Sequence, residues 1–130
     1  MLYYIPYMLL KHQLIDQCKA KLIIEGIEVY FEAHPTKGTW LIKANIDYPL
    51  EELTPTLQDN LQSLNYVKIQ SHGGFLKAYP KEGFVVVFQE IKIASDFILF
   101  KAAMKEFMSI YDLWKSVVDD IVRSDGLLLI

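Results

Sequence analysis

Cysteine is nearly absent from this chain: Cys18 stands alone among 130 residues. No intrachain disulfide can form, and a reducing, cytosolic compartment is the simplest reading. Arginine is equally scarce. Of 13 basic residues only Arg123 is an arginine, and 16 acidic residues leave a net charge of -3. Without arginine forks there is little to grip phosphates or base edges, so nucleic-acid binding is not expected. Long apolar runs are missing too. The apolar start from Met1 to Leu10 is too short to span a bilayer, and its first positive charge, Lys11, follows the run where a signal peptide would have it ahead. The chain reads as soluble, with no membrane partner.

Catalytic and cofactor motifs are also lacking. His12, His34 and His72 fall on a helix, a loop and a turn edge, and none has a cysteine or second histidine at ligand spacing. His72-Gly73-Gly74 and Gly83 are followed by strand residues, whereas a phosphate loop needs Lys-Ser/Thr and a helix. They read as turn or bulge glycines. Glu51 and Glu52 are adjacent and point apart on any regular backbone, so they suit a solvated helix start better than an acid-base pair. No serine lies in a Gly-x-Ser-x-Gly elbow. Cys18 sits in a helix candidate, where a buried, inert thiol is expected. No metal, no cofactor and no enzyme activity are expected.

What the chain has is apolar residues, 52% against 22% charged. That excludes intrinsic disorder and suits one domain over residues 1–130. Pro6 to Ala20 reads as a helix. From Ile27 the period changes to two, with Ile27, Val29 and Phe31 on one side and Glu28, Tyr30 and Glu32 on the other. After the His34 to Gly38 loop, Trp40, Ile42, Ala44 and Ile46 share the face of a second strand and complete a hairpin. Thr54-Pro55 has the form of an N-cap with proline behind it, opening a helix with Leu57, Leu61 and Leu64 in a row, and Asn65 offers a left-handed stop.

Val67 and Ile69 restart the alternation, Gly73-Gly74 interrupts it, and Phe75, Lys77 and Tyr79 complete a short hairpin or a bulged strand. The strand Phe84 to Ile93 carries an apolar row at Val85, Val87, Ile91 and Ile93 and a second half-row at Phe84, Val86 and Phe88. Ser95 or Asp96 caps a last helix. Its seam of Phe100, Met104, Phe107, Tyr111, Trp114, Val118 and Ile121 is about 32 Å long and wide enough to lie across a sheet. Asp125-Gly126 ends that helix, and the apolar run Leu127-Leu128-Leu129-Ile130 follows. The order α-β-β-α-β-β-β-α makes an α+β fold, a mostly antiparallel twisted sheet packed with helices. Lys21 to Ile24 is open as one further short strand.

One sheet face suffices for a core, so the second half-row implies another surface to cover. A dimer is expected, with Leu57, Leu61, Leu64, Phe84, Val86 and Phe88 as interface candidates.

The run Leu61-Gln62-Ser63-Leu64-Asn65, then Gly73 to Tyr79, Gly83 to Phe88, and Phe107 through Trp114 to Val118 resembles the second half of the class I type III secretion chaperones, the Tir chaperone or CesT family. This resemblance implies the order α-β-β-β-α-β-β-α and a small acidic cytosolic homodimer, with the middle helix and an adjacent strand at the dimer seam. It also implies a protein client, an extended segment near the N-terminus of a secreted effector. The first helix and first strand would seat it, which points to Tyr4, Tyr7, Met8, Ile27, Val29 and Phe31. The chain is similar also to the YbjN-like bacterial proteins, which would imply a regulatory or interaction domain without a secretion client.

Overall fold

The computed structural model describes residues 4–34, 36–49, 53–65, 67–69, 74–92 and 96–123. The first helix, α1 (Tyr4–Gln17), carries Pro6 in its first turn, where the missing amide hydrogen is of no consequence. It stops sooner than the expected Ala20. Cys18 takes a left-handed φ of 61°, its amide donates to the Leu14 carbonyl, and its own carbonyl accepts from Ala33 N at 2.8 Å. The chain thereby turns into β1 (Lys19–Ile24), which pairs antiparallel with β2 (Ile27–His34). Glu25 and Gly26 both have positive φ, as a two-residue hairpin turn of the right twist requires. Cys18 is exposed, so the expected buried thiol is corrected.

Three strands therefore precede the middle helix where two were clear from sequence. The α+β class holds, and its order gains β1. Lys19 and Lys21 alternate with Ala20 and Leu22, a pattern with helix-compatible residue types that only pairing with β2 commits to a strand.

β3 (Thr39–Asp47) follows, then α2 (Pro55–Gln62), where the Thr54 hydroxyl accepts from Leu57 N. Asn65 does not take the left-handed stop expected of it. The chain leaves α2 through tight turns, and the Asn65 side chain accepts from Ala78 N instead, tying the turn to β5 (Gly74–Tyr79). Between them lies the two-residue β4 (Lys68–Ile69), and β6 (Phe84–Lys92) completes the sheet. Its order is β1-β2-β3-β6-β5-β4, with every paired neighbour antiparallel. Ile93, Ser95, His72, Gly73, Leu50, Glu51, Glu52 and the 124–130 stretch lie outside the described residues.

The last helix, α3 (Phe97–Arg123), is capped by Asp96, whose carboxylate accepts from Leu99 N at 2.9 Å. It lies across the inner face of the sheet and also packs against α1 and α2. Tyr111 pins it there by donating to the Asn45 carbonyl at 3.0 Å. Tyr7, Leu10, Leu14, Phe31, Ile42, Val87, Phe100 and Phe107 form the centre of the core. Trp114 and Ile121 only border it, being partly buried. Gln89, passed over in the apolar row of β6, faces this core at 1% exposure, and its carbonyl oxygen has no partner among the described residues.

Candidate protein-binding surfaces

The outer face of the sheet is divided by composition. Over β1, β2 and the adjoining part of β3 it is a polar lattice. Lys43 bonds Glu32 at 2.7 Å, Tyr30 donates to Glu28 at 2.7 Å, and Lys21 sits 3.5 Å from Glu28. The Lys43 ammonium holds the Glu32 carboxyl below its ordinary range, and the Tyr30 hydroxyl with Lys21 does the same for Glu28. Over β5 and β6 the same face is aromatic. Cross-strand register sets Phe75 opposite Phe88 and Tyr79 opposite Phe84, and the rings meet at centroid distances of 4.7 and 4.9 Å. Val86 lies between the pairs, and a hollow of about 430 Å³ opens beside it toward Tyr30 and Lys43. No helix packs on this face among the described residues.

Of the expected dimer contacts, Phe84, Val86 and Phe88 are thus brought together on one uncovered surface. Phe84 and Phe88 are half-buried, and Val86 is closed in by its neighbours. The leucines differ. Leu61 and Leu64 belong to the monomer's own core, and Leu57 is buried as well. The i, i+4, i+7 row was legible, but periodicity does not say whether a helix face meets its own sheet or a second molecule.

The expected client contacts divide similarly. Tyr7, Val29 and Phe31 are at most 2% exposed and hold α1 and α3 to the sheet, with Tyr7 stacked 4.7 Å from Phe100. A surface role for these three is therefore corrected to a core role. Met8 is exposed, Ile27 is half-buried, and of Tyr4 only the backbone is described. The apolar residues that α1 presents outward are Leu9 and Ile15, 62% and 75% exposed, alongside Met8. They escaped the sequence reading because α1 is apolar around most of its circumference, which gives no amphipathic stripe to separate inside from outside. Ile23 stands out, 67% exposed, on the free edge strand β1.

A third feature is a groove of about 520 Å³ between β1 and α3, in which Met104 and Met108 of the helix meet Leu22 and Ile24 of the strand.

His12 is exposed on α1, and His34 closes β2. Among the described residues no three His, Cys, Asp or Glu side chains converge as a metal site would need. No helix among them is long and apolar enough to cross a membrane.

No family model matches this chain, and no curated protein does. Among solved structures, one chain of the ExsC-ExsE complex is similar, with a TM-score of 0.54 and 12% identity over 88% of this chain and 92% of that chain. At such identity the likeness is one of fold. With three strands ahead of the middle helix and the antiparallel sheet carrying α1 and α3 on one side, the chain shares the α+β fold of that solved chain.

Proposed function

We propose that this protein is a non-catalytic, cytosolic secretion chaperone that forms a homodimer and holds an extended segment of a secreted effector. The observation that carries the reading is the apolar surface left uncovered on a chaperone-like fold. The aromatic outer face of β5 and β6 offers a self-complementary patch, and the outward side of α1 with the free edge of β1 offers a seat for a client. An isologous contact needs one patch that can meet itself, and the stacked Phe75–Phe88 pair beside the tilted Tyr79–Phe84 pair, all at half burial, offers such a patch. An extended client can add main-chain hydrogen bonds at a strand edge while its apolar side chains take up Met8, Leu9 and Ile15. The similar solved chain was itself crystallised as a complex of two proteins.

The test is co-purification of the tagged chain from its own cell, followed by identification of what is bound. A protein with a disordered N-terminal segment, lost on Leu9→Glu and Ile15→Glu, is the expected result. Both substitutions fall on exposed positions, so they leave the fold intact. Recovery of no such protein, or binding indifferent to both substitutions, would favour the YbjN-like reading of an interaction domain without a secretion client. Small-molecule turnover abolished by changing His12 or His34 would overturn both.

A further inference from the structure

Strand β1 is an open edge of the sheet, and the groove between it and α3 has two unlike ends. The Phe100 ring lies 6.3 Å from that of Phe31, which pairs with Ala20 on one side and Ile42 on the other. Tyr111 bonds Asn45, further along β3 than Ile42, so α3 runs beside β1 in the same direction. Lys101 and Lys105 therefore mark the end of the groove where β1 begins, and Asp112 with Glu25 marks the end at the hairpin turn. None of these four makes an ion pair among the described residues. A surface that is basic at one end, acidic at the other and apolar between is its own complement after a half-turn. We propose that β1 pairs edge to edge with β1 of a second copy, antiparallel about a two-fold axis at Leu22, so that the two sheets become one.

Backbone and charge both favour this partner. The Cys18 carbonyl points at β2, where it accepts from Ala33 N, so the Lys19 amide across the same planar peptide points away. Lys19, Lys21 and Ile23 consequently turn their N–H and C=O groups to the open edge. With Leu22 facing Leu22 of the second copy, Lys21 faces Ile23 and exchanges main-chain hydrogen bonds with it, and Lys19 faces Glu25. Centring the axis on Lys21 would set two ammonium groups opposite each other, and centring it on Ile23 would shorten the ladder to residues 22–24. On the inner face Ala20, Leu22 and Ile24 meet the same three residues of the second copy, closing the open side of the groove beside Met104 and Met108. One pair of short strands buries less than an obligate interface, so this contact forms above the micromolar range, and it is separate from the outer aromatic patch. It occupies the edge assigned above to a client, so a client and a second copy exclude one another there, and without a client the edge is covered. The inference does not depend on the chaperone reading.

Cysteine trapping in the full-length chain tests it, well above micromolar concentration and with Cys18→Ser to remove the native thiol. Residues facing each other in such a ladder have Cα atoms about 4.5–5.5 Å apart, within disulfide reach, whereas residues two places out of register lie about 7–8 Å apart, beyond it. Leu22→Cys should therefore link two chains about tenfold faster than Lys21→Cys or Ile23→Cys alone, although those two positions are the more exposed. Chains with Lys21→Cys mixed with chains with Ile23→Cys should give the mixed disulfide in preference to either symmetric one, and these exposed positions hold the test should Leu22→Cys disturb the fold. Glu25→Lys should slow trapping about tenfold, and adding Lys19→Glu should restore it. Symmetric disulfides forming as fast as the mixed one, or trapping indifferent to Glu25→Lys, would overturn the proposal. The mixed disulfide should persist in Phe88→Glu chains, and its loss there would also overturn the proposal, by assigning the trap to the outer aromatic face.

Discussion

On the inner face of the sheet, Phe31, Ile42 and Val87 are closed beneath α1 and α3 at no more than 1% exposure, whereas on the outer face Phe75 meets Phe88 and Tyr79 meets Phe84 with no helix over them among the described residues. Both faces are rich in large apolar side chains. What separates them is whether the same chain provides a cover. On the inner face the cover is covalently attached, so burial there stabilises the monomer at any concentration. On the outer face no helix among the described residues supplies one, and a cover from a second copy, as proposed, would make its stabilisation depend on concentration.

The largest expected effect is on the inner face. Phe107, at the centre of α3 and wholly buried, should cost about 3–5 kcal/mol when changed to alanine, through lost transfer energy and the cavity left behind. Chemical denaturation should find that loss at every protein concentration. Trp114→Ala, at the border of the core, should cost roughly half as much because a good part of the ring already meets water. If the two losses were equal, α3 would be rotated about its axis from the position described.

A pair of tyrosines refines the account of the inner face. Tyr111 donates to the Asn45 carbonyl, while the hydroxyl of Tyr48, also buried, has no partner among the described residues. Burial pushes both phenols above their ordinary pKa. Tyr111→Phe should therefore lose about 0.5–1.5 kcal/mol, and Tyr48→Phe should lose nothing or gain up to about 1 kcal/mol. Thermal melts of the two variants side by side would show it, and equal losses would mean that Tyr48 has a partner after all.

The smallest effect belongs to the polar half of the outer face. Glu32 has its pKa lowered, chiefly by the hydrogen bond from Lys43, so the pair's contribution is present above the unfolded carboxylate pKa and is lost as pH falls through the folded one. Glu32→Gln should cost less than about 1 kcal/mol at about pH 7, and the difference from the parent should vanish at about pH 3. A difference that persisted in acid would have to come from packing and not from charge.

How much of this was legible in sequence follows from what alternation and spacing can encode. Ile42, Ala44 and Ile46 on one side of β3, the Thr54 cap and the seam of α3 all follow from local period and turn chemistry. β1 was not plain, because Lys19–Ile24 becomes a strand only by pairing with β2. Asn65 was misplaced because its amide side chain has a tertiary partner, Ala78 N, that no local pattern announces. The site was less legible than the fold. Tyr7, Val29 and Phe31 carry the residue types of a binding surface, yet the same types fill a core, and only the tertiary packing that closes over them, with Phe100 against Tyr7 and Phe31, decides.

The central claim is that the outer aromatic face is a surface for a second copy of the chain. Sedimentation equilibrium at micromolar concentration measures it directly, on the parent and on Phe88→Glu, a change at a half-buried outer position that leaves the inner core untouched. The parent should have a mass of about 30 kDa, twice the 15.1 kDa of one chain, as an interface of core-like character implies, and the variant should sediment as a folded monomer. A parent that is monomeric at that concentration, or a variant that dimerises as well as the parent, would contradict the account.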